Sequence, residues 1–110
     1  MQLKYFLSFI LISVSLFAQQ KIDKETCSYN GIQLYGKVKV VEHFPDITIQ
    51  VVESFADIDV KVVEEFADEC GEWKMVEKFP DFTIKIVEHN ADIKVRFVRN
   101  FPKVKNWPVV

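Results

Sequence analysis

Val38-Lys39-Val40-Val41-Glu42-His43-Phe44-Pro45-Asp46 decides how this chain folds. Its pattern is apolar, any, apolar, Val, Glu, any, Phe, Pro or Ala, Asp. The pattern returns at Ile49–Asp57, Val60–Asp68, Trp73–Asp81, Ile84–Asp92 and Val95–Lys103. The Val-Glu pairs begin at Val41, Val52, Val63, Val76 and Val87, and the sixth pair is Val98-Arg99, at spacings of 11, 11, 13, 11 and 11. An internal period of this kind has to be settled before any fold is proposed.

A longer repeat lies above the short one. Residues 36–68 align with 71–103 at a constant offset of 35, and 17 of the 33 positions are identical. The domain therefore reads as two halves of three units each, with Glu69-Cys70 as the additional pair at the join. Duplication of this kind predicts an approximate two-fold axis.

Within a unit the sequence predicts a strand of about six residues and a corner. Proline presets φ for a turn, and aspartate bonds nearby backbone. The predicted corners are Phe44-Pro45-Asp46, Phe55 with Asp57, Phe66 with Asp68, Phe79-Pro80-Asp81, Asp92, and Phe101-Pro102. The corner phenylalanines are expected in the core, where each would stabilise the fold by roughly 1.5–3 kcal/mol. Val38 and Val40 share one strand face and Val41 points to the other. That doublet requires either partial cover on both faces or a bulge at the Val-Glu step.

Composition supports strands throughout. From Gln19 onward Val and Ile number 23, whereas Leu and Ala number four. β-Branched side chains are stiff at χ1 and suit a pleated surface, and the main apolar helix formers are nearly missing. An eleven-residue period also suits a right-handed helical supercoil. Pro45, Pro80 and Pro102 would break that helix at each recurrence. The class is all-β, and on pattern alone a short β-solenoid or a sandwich is expected.

The start of the chain reads as an address. Lys4 precedes an apolar run from Tyr5 to Phe17, which ends at Ala18 before Gln19-Gln20. This is the pattern of a secretory signal peptide cut after Ala18. As a helix the run rises only about 21 Å, short of the ~30 Å hydrocarbon core. The expected organisation is a signal peptide at 1–18, a lead-in at 19–34, the repeat domain at 35–103 and a tail at 104–110. Without its leader the chain is expected to be periplasmic or extracellular, with no membrane span, as a monomer.

Charge and motifs exclude several function classes. The whole chain of 110 residues carries 14 basic and 16 acidic residues, a formal charge of −2. The basic residues are scattered, so no nucleic-acid footprint is expected. No nucleophile triad, phosphate loop or dinucleotide fingerprint occurs. Asp46, Asp57, Asp68, Asp81 and Asp92 form a column that oxygen-loving cations would suit, but turn chemistry accounts for it. Glu42, Glu53, Glu64, Glu77 and Glu88 form a second column. It is expected to pair with Lys39, Lys61, Lys74, Lys85, Lys94 and Arg96 across strands rather than to serve acid–base catalysis. His43 and His89 read as surface residues. No enzyme, metal or cofactor is expected and no partner is identified. The chain reads as a highly stable, exported, non-catalytic β domain of structural or interaction type, with an envelope or extracellular binding module for a protein or glycan as the alternative.

Cys27 and Cys70 are the two cysteines. Export to an oxidising compartment favours a disulfide between them, and a buried Cys70 with a free Cys27 is the alternative. Trp107, beyond the last corner, is expected to be an exposed aromatic.

The repeated Val-x-x-Phe-Pro-Asp units, interrupted by Cys70-Gly71-Glu72-Trp73, resemble the septoil knot domain family of small bacterial proteins. The resemblance covers about Tyr35 to Pro102. It implies a small knotted β domain that winds around itself through seven crossings, with Cys70, Gly71 and Trp73 as the family-type motif. It implies no established activity. Ala56, Ala67 and Ala91 replace the corner proline, and Asn90 replaces the corner phenylalanine.

Overall fold

A computed structural model of the chain describes residues 21–105. The predicted signal peptide, Trp107 and most of the tail lie outside the described residues. Those described form strands and turns, with no helix.

A two-residue hairpin comes first, β1 (Ser28–Tyr29) and β2 (Ile32–Gln33). The repeat region supplies β3 (Gly36–Val40), β4 (Ile47–Val51), β5 (Ile58–Val62), β6 (Glu72–Met75), β7 (Phe82–Ile86) and β8 (Ile93–Phe97). A short β9 (Lys103–Val104) follows. The sheet order is β6-β3-β7-β4-β8-β5-β9, and β5 also pairs with β6. The six long strands are therefore a closed, all-parallel barrel, with β9 antiparallel on part of β5. Closure removes the unpaired edges that an open sheet would expose. This barrel replaces the expected solenoid or sandwich. A solenoid stacks each unit on the next, but here every strand of 36–62 lies between two strands of 72–97.

Register explains why eleven residues suffice for one unit. Parallel neighbours ordinarily need a crossover of a dozen or more residues. Here Val40 pairs with Ile84, which pairs with Ile47. Val51 likewise connects through Val95 to Ile58, Met75 through Val38 to Phe82, and Ile86 through Ile49 to Ile93. In each case the last residue of one strand is linked through a neighbour to the first residue of another. The chain therefore has to cross only one intervening strand, and the strands are steeply inclined to make this so.

Each corner is fixed to the strand it crosses. The amide of Val41 donates to the Ile84 carbonyl, and that of Asp46 to the Thr83 carbonyl. The same arrangement puts Val52 and Asp57 on β8, Val76 and Asp81 on β3, Val87 on β4, Val98 on β5 and Val63 on β6. This resolves the Val-Val doublet without a bulge: the strand ends at Val40, and Val41 already belongs to the corner.

Two layers of side chains fill the barrel. Val38, Ile49, Val60, Trp73, Ile84 and Val95 are fully buried, as are Ile47, Ile58, Phe82 and Ile93 nearer the strand starts. The lead-in packs Ile22, Cys27 and Leu34 into the same core. Trp73 Nε1 donates to the Leu34 carbonyl at 3.1 Å, and its ring meets Phe82 and Phe97 edge-on. Cys27 and Cys70 are joined by a disulfide, Cα–Cα 5.8 Å, which ties the lead-in to the join between the halves. At the opposite end, where all six strands finish, Val40, Val51, Val62, Met75, Ile86 and Phe97 are 40–52% exposed.

Candidate functional site: an aromatic belt

The corner phenylalanines are not core residues. Phe44, Phe55, Phe66, Phe79 and Phe101 are 73–97% exposed. The reason is that the two layers of strand side chains already fill the barrel, while each corner passes over the outside of a strand. The five share a second property. Their φ angles lie between 55° and 60°, in the left-handed region. A β-carbon there meets the following carbonyl, at roughly 1–2 kcal/mol per residue. Asn90, at the sixth corner, has φ 58° and is the residue type that tolerates this conformation. Burial therefore does not explain the five phenyl rings, and backbone preference opposes them.

Following the barrel wall from β6 through β3, β7, β4, β8 and β5 gives the corner order Phe66, Phe79, Phe44, Asn90, Phe55, Phe101. The glutamates two positions earlier, Glu64, Glu77, Glu42, Glu88 and Glu53, are all exposed, and Arg99 stands before Phe101. None of these glutamates forms an ion pair within 4 Å among the described residues. The expected pairing with strand lysines is therefore not found, because the glutamates ride on the corners and the lysines on the strands. His43 and His89 are exposed on corners as well.

Four of the five corner aspartates, all but Asp68, stitch the halves together instead of bonding locally. Asp46 Oδ2 accepts from the Thr83 amide at 2.8 Å, and Asp57 Oδ2 from the Lys94 amide at 2.7 Å. Asp81 and Asp92 accept from the amides of Lys37 and Thr48. Each partner is 37 or 44 residues away. Their acceptor oxygens are thus engaged by backbone, and no group of three or more potential metal ligands gathers among the described residues.

One ionic cluster was not expected from the sequence. Asp59 is 3% exposed. Its Oδ1 accepts from Arg96 Nε at 3.1 Å and its Oδ2 from Nη2 at 2.9 Å, with Lys105 Nζ at 3.3 Å. Burial alone would raise this carboxyl's pKa, but hydrogen bonds and charge from Arg96 and Lys105 outweigh it and hold the pKa below the usual range. A signal was present in the repeat. Asp59 stands where Lys37, Thr48, Thr83 and Lys94 stand in other units, and Lys103 stands where five units have Asp; the two are paired in register.

The Gly36 and Gly71 backbones are also informative. Gly36 has φ 120°, and a β-carbon there would run into the Asp81 carboxylate. Gly71 has φ 83°, and a β-carbon would stand 2.8 Å from both the Asp59 carbonyl and Pro102 Cβ. Gly71 and Trp73 of the central motif therefore serve the barrel seam rather than the surface.

A family model described as the 7(1) septoil knot domain matches residues 31–105. The chain belongs to the septoil knot domain family. This septoil knot protein is also 56% identical over 64 residues to an uncharacterized protein of Synechocystis sp. (strain ATCC 27184 / PCC 6803 / Kazusa), across 58% of its own length and 57% of the relative's. It thus spans little more than half of that relative. The match to the septoil knot family takes in every corner of the belt, the Asp59 cluster and Cys70, and leaves Cys27 outside it. Among the described residues no helix is long and apolar enough to cross a membrane.

Proposed function

We propose that this septoil knot protein is an exported, non-catalytic binding module whose contact surface is the belt of corner phenylalanines. One observation carries the reading: five exposed phenyl rings stand on left-handed backbone that asparagine or glycine would occupy with less strain. An outlier repeated five times on rings that stay 73–97% exposed is what a contact surface predicts. The barrel beneath supplies rigidity, because every corner is hydrogen-bonded to the strand it crosses, and those carrying Phe44, Phe55 and Phe79 are bonded at both ends. Export is supported by the signal-like pattern at 1–18 and agrees with the Cys27–Cys70 disulfide.

The path is read as knotted, with the two halves related by an approximate two-fold axis. Support comes from the 35-residue offset between the halves and from strand pairing that interleaves them.

Capture from envelope and extracellular extracts on the immobilised full chain tests the binding role. Specific components should be retained by the wild type and lost by F44N/F55N/F66N/F79N/F101N, with both proteins folded by circular dichroism. Equal retention by the two, or none by the wild type across salt conditions, would overturn the reading. Export has its own check: the N-terminus of protein recovered outside the cytoplasm should begin at Gln19.

A further inference from the structure

The belt is not uniform around the barrel. Three consecutive corners, over β6, β3 and β7, carry Phe66, Phe79 and Phe44. Each is preceded by an exposed glutamate, Glu64, Glu77 and Glu42. The far side is broken up: Asn90 replaces one ring, Arg99 replaces one glutamate, and Lys103 replaces the last corner aspartate. The face over β6-β3-β7 therefore carries three consecutive Phe/Glu corners, whereas on the far side only the Phe55/Glu53 corner keeps both.

That combination defines the chemistry of an occupant. An exposed phenyl ring attracts a cation over its face. A carboxylate on the same corner offers the charged end of that cation a hydrogen-bond acceptor. Arginine and lysine side chains satisfy both, laying an apolar stem on the ring and the charged head on the carboxylate. A neutral glycan would stack on the rings and donate hydroxyls to the glutamates, but it would draw nothing from their negative charge. An acidic partner would be repelled.

We propose that the β6-β3-β7 face docks a basic, extended polypeptide segment, whose arginines or lysines are received in turn by the Phe66/Glu64, Phe79/Glu77 and Phe44/Glu42 corners. This deepens the binding-module reading and rests on it. Steering by the glutamates makes the association salt-dependent. Stacking on the rings makes it more than a general attraction to negative charge.

The test uses the full chain and a fluorescent arginine peptide of about nine residues, which spans roughly 30 Å when extended. A Gly/Ser peptide of the same length is the control. Anisotropy should report binding of the arginine peptide alone. F44N/F66N/F79N should weaken it about tenfold or more, the sum of three exposed cation–ring contacts. E42Q/E64Q/E77Q should weaken it and flatten its salt dependence. F55N/F101N, on the far side, should weaken it less than F44N/F66N/F79N does. No binding, equal loss in F55N/F101N, or undiminished binding by F44N/F66N/F79N would overturn the proposal. Envelope capture by the same variants separates the two readings. If capture is lost with F44N/F66N/F79N while the arginine peptide is ignored, the cationic partner is wrong and the binding module stands. If neither assay responds to the phenylalanines, both fall.

Discussion

Arg96 grips Asp59 at two points across the β8–β5 pair, and Lys105 closes on the same carboxylate from the tail strand. The Asp59 pKa is lowered in the folded protein. Its contribution is therefore complete above the unfolded aspartate value near ~4 and is lost as pH falls through the lower folded value. Chemical denaturation at pH 7 should find D59N about 1–2 kcal/mol less stable. The difference from wild type should shrink as the pH falls below about 4. A constant difference across that range would contradict the pairing.

Asn90 shows what backbone preference alone would choose at a corner. Replacing Phe44 or Phe79 with asparagine should stabilise the domain by about 1 kcal/mol at each site, because little burial is lost and left-handed strain is relieved. For a domain of this size that is a rise in melting temperature of about 4–8 °C per site. Calorimetry on F44N and F79N checks it, and a fall would mean the rings contribute to packing.

Gly36 should not accept a side chain. G36A would place a β-carbon against the Asp81 carboxylate that holds the Lys37 amide, on backbone with φ 120°. A loss of about 2–4 kcal/mol is expected from strain plus the displaced hydrogen bond. G31A is the comparison. Gly31 also has positive φ, but a β-carbon there meets nothing within 4 Å, so its loss should be smaller. Urea titration of the pair distinguishes clash from backbone strain.

The disulfide spans 43 residues of sequence. On chain entropy its removal should lower stability by up to about 4 kcal/mol. C27S/C70S should melt earlier than the oxidised wild type by the same margin as reduced wild type. Hydrogen exchange in the variant should rise first in residues 22–34, whose hold on the barrel the bridge reinforces.

Much of this fold is legible in the residues themselves. The eleven-residue period, the Val and Ile excess and the recurring prolines give strands and corners at their observed places. Closure into a barrel is not legible, because it depends on Val40 meeting Ile47 through Ile84, a long-range register with no local mark. The belt misleads for a related reason. A phenylalanine recurring in a strand-rich repeat reads as core, and only the filled interior around Trp73 and Ile84 shows that it has nowhere inside to go. Asp59 carries a visible clue in its exchange of sign with Lys103, which the dominant pattern conceals.

Every strand from Gly36 to Val62 finds its neighbours in the segment from Glu72 to Phe97. A nascent chain that has reached Asp68 has thus formed no ladder beyond the β1–β2 hairpin, and the first ladders of the barrel, β6 with β5 and β3, close only once Trp73 has emerged. Synthesis of the first half therefore leaves β3, β4 and β5 without partner strands. Folding then begins late and involves nearly the whole sequence at once.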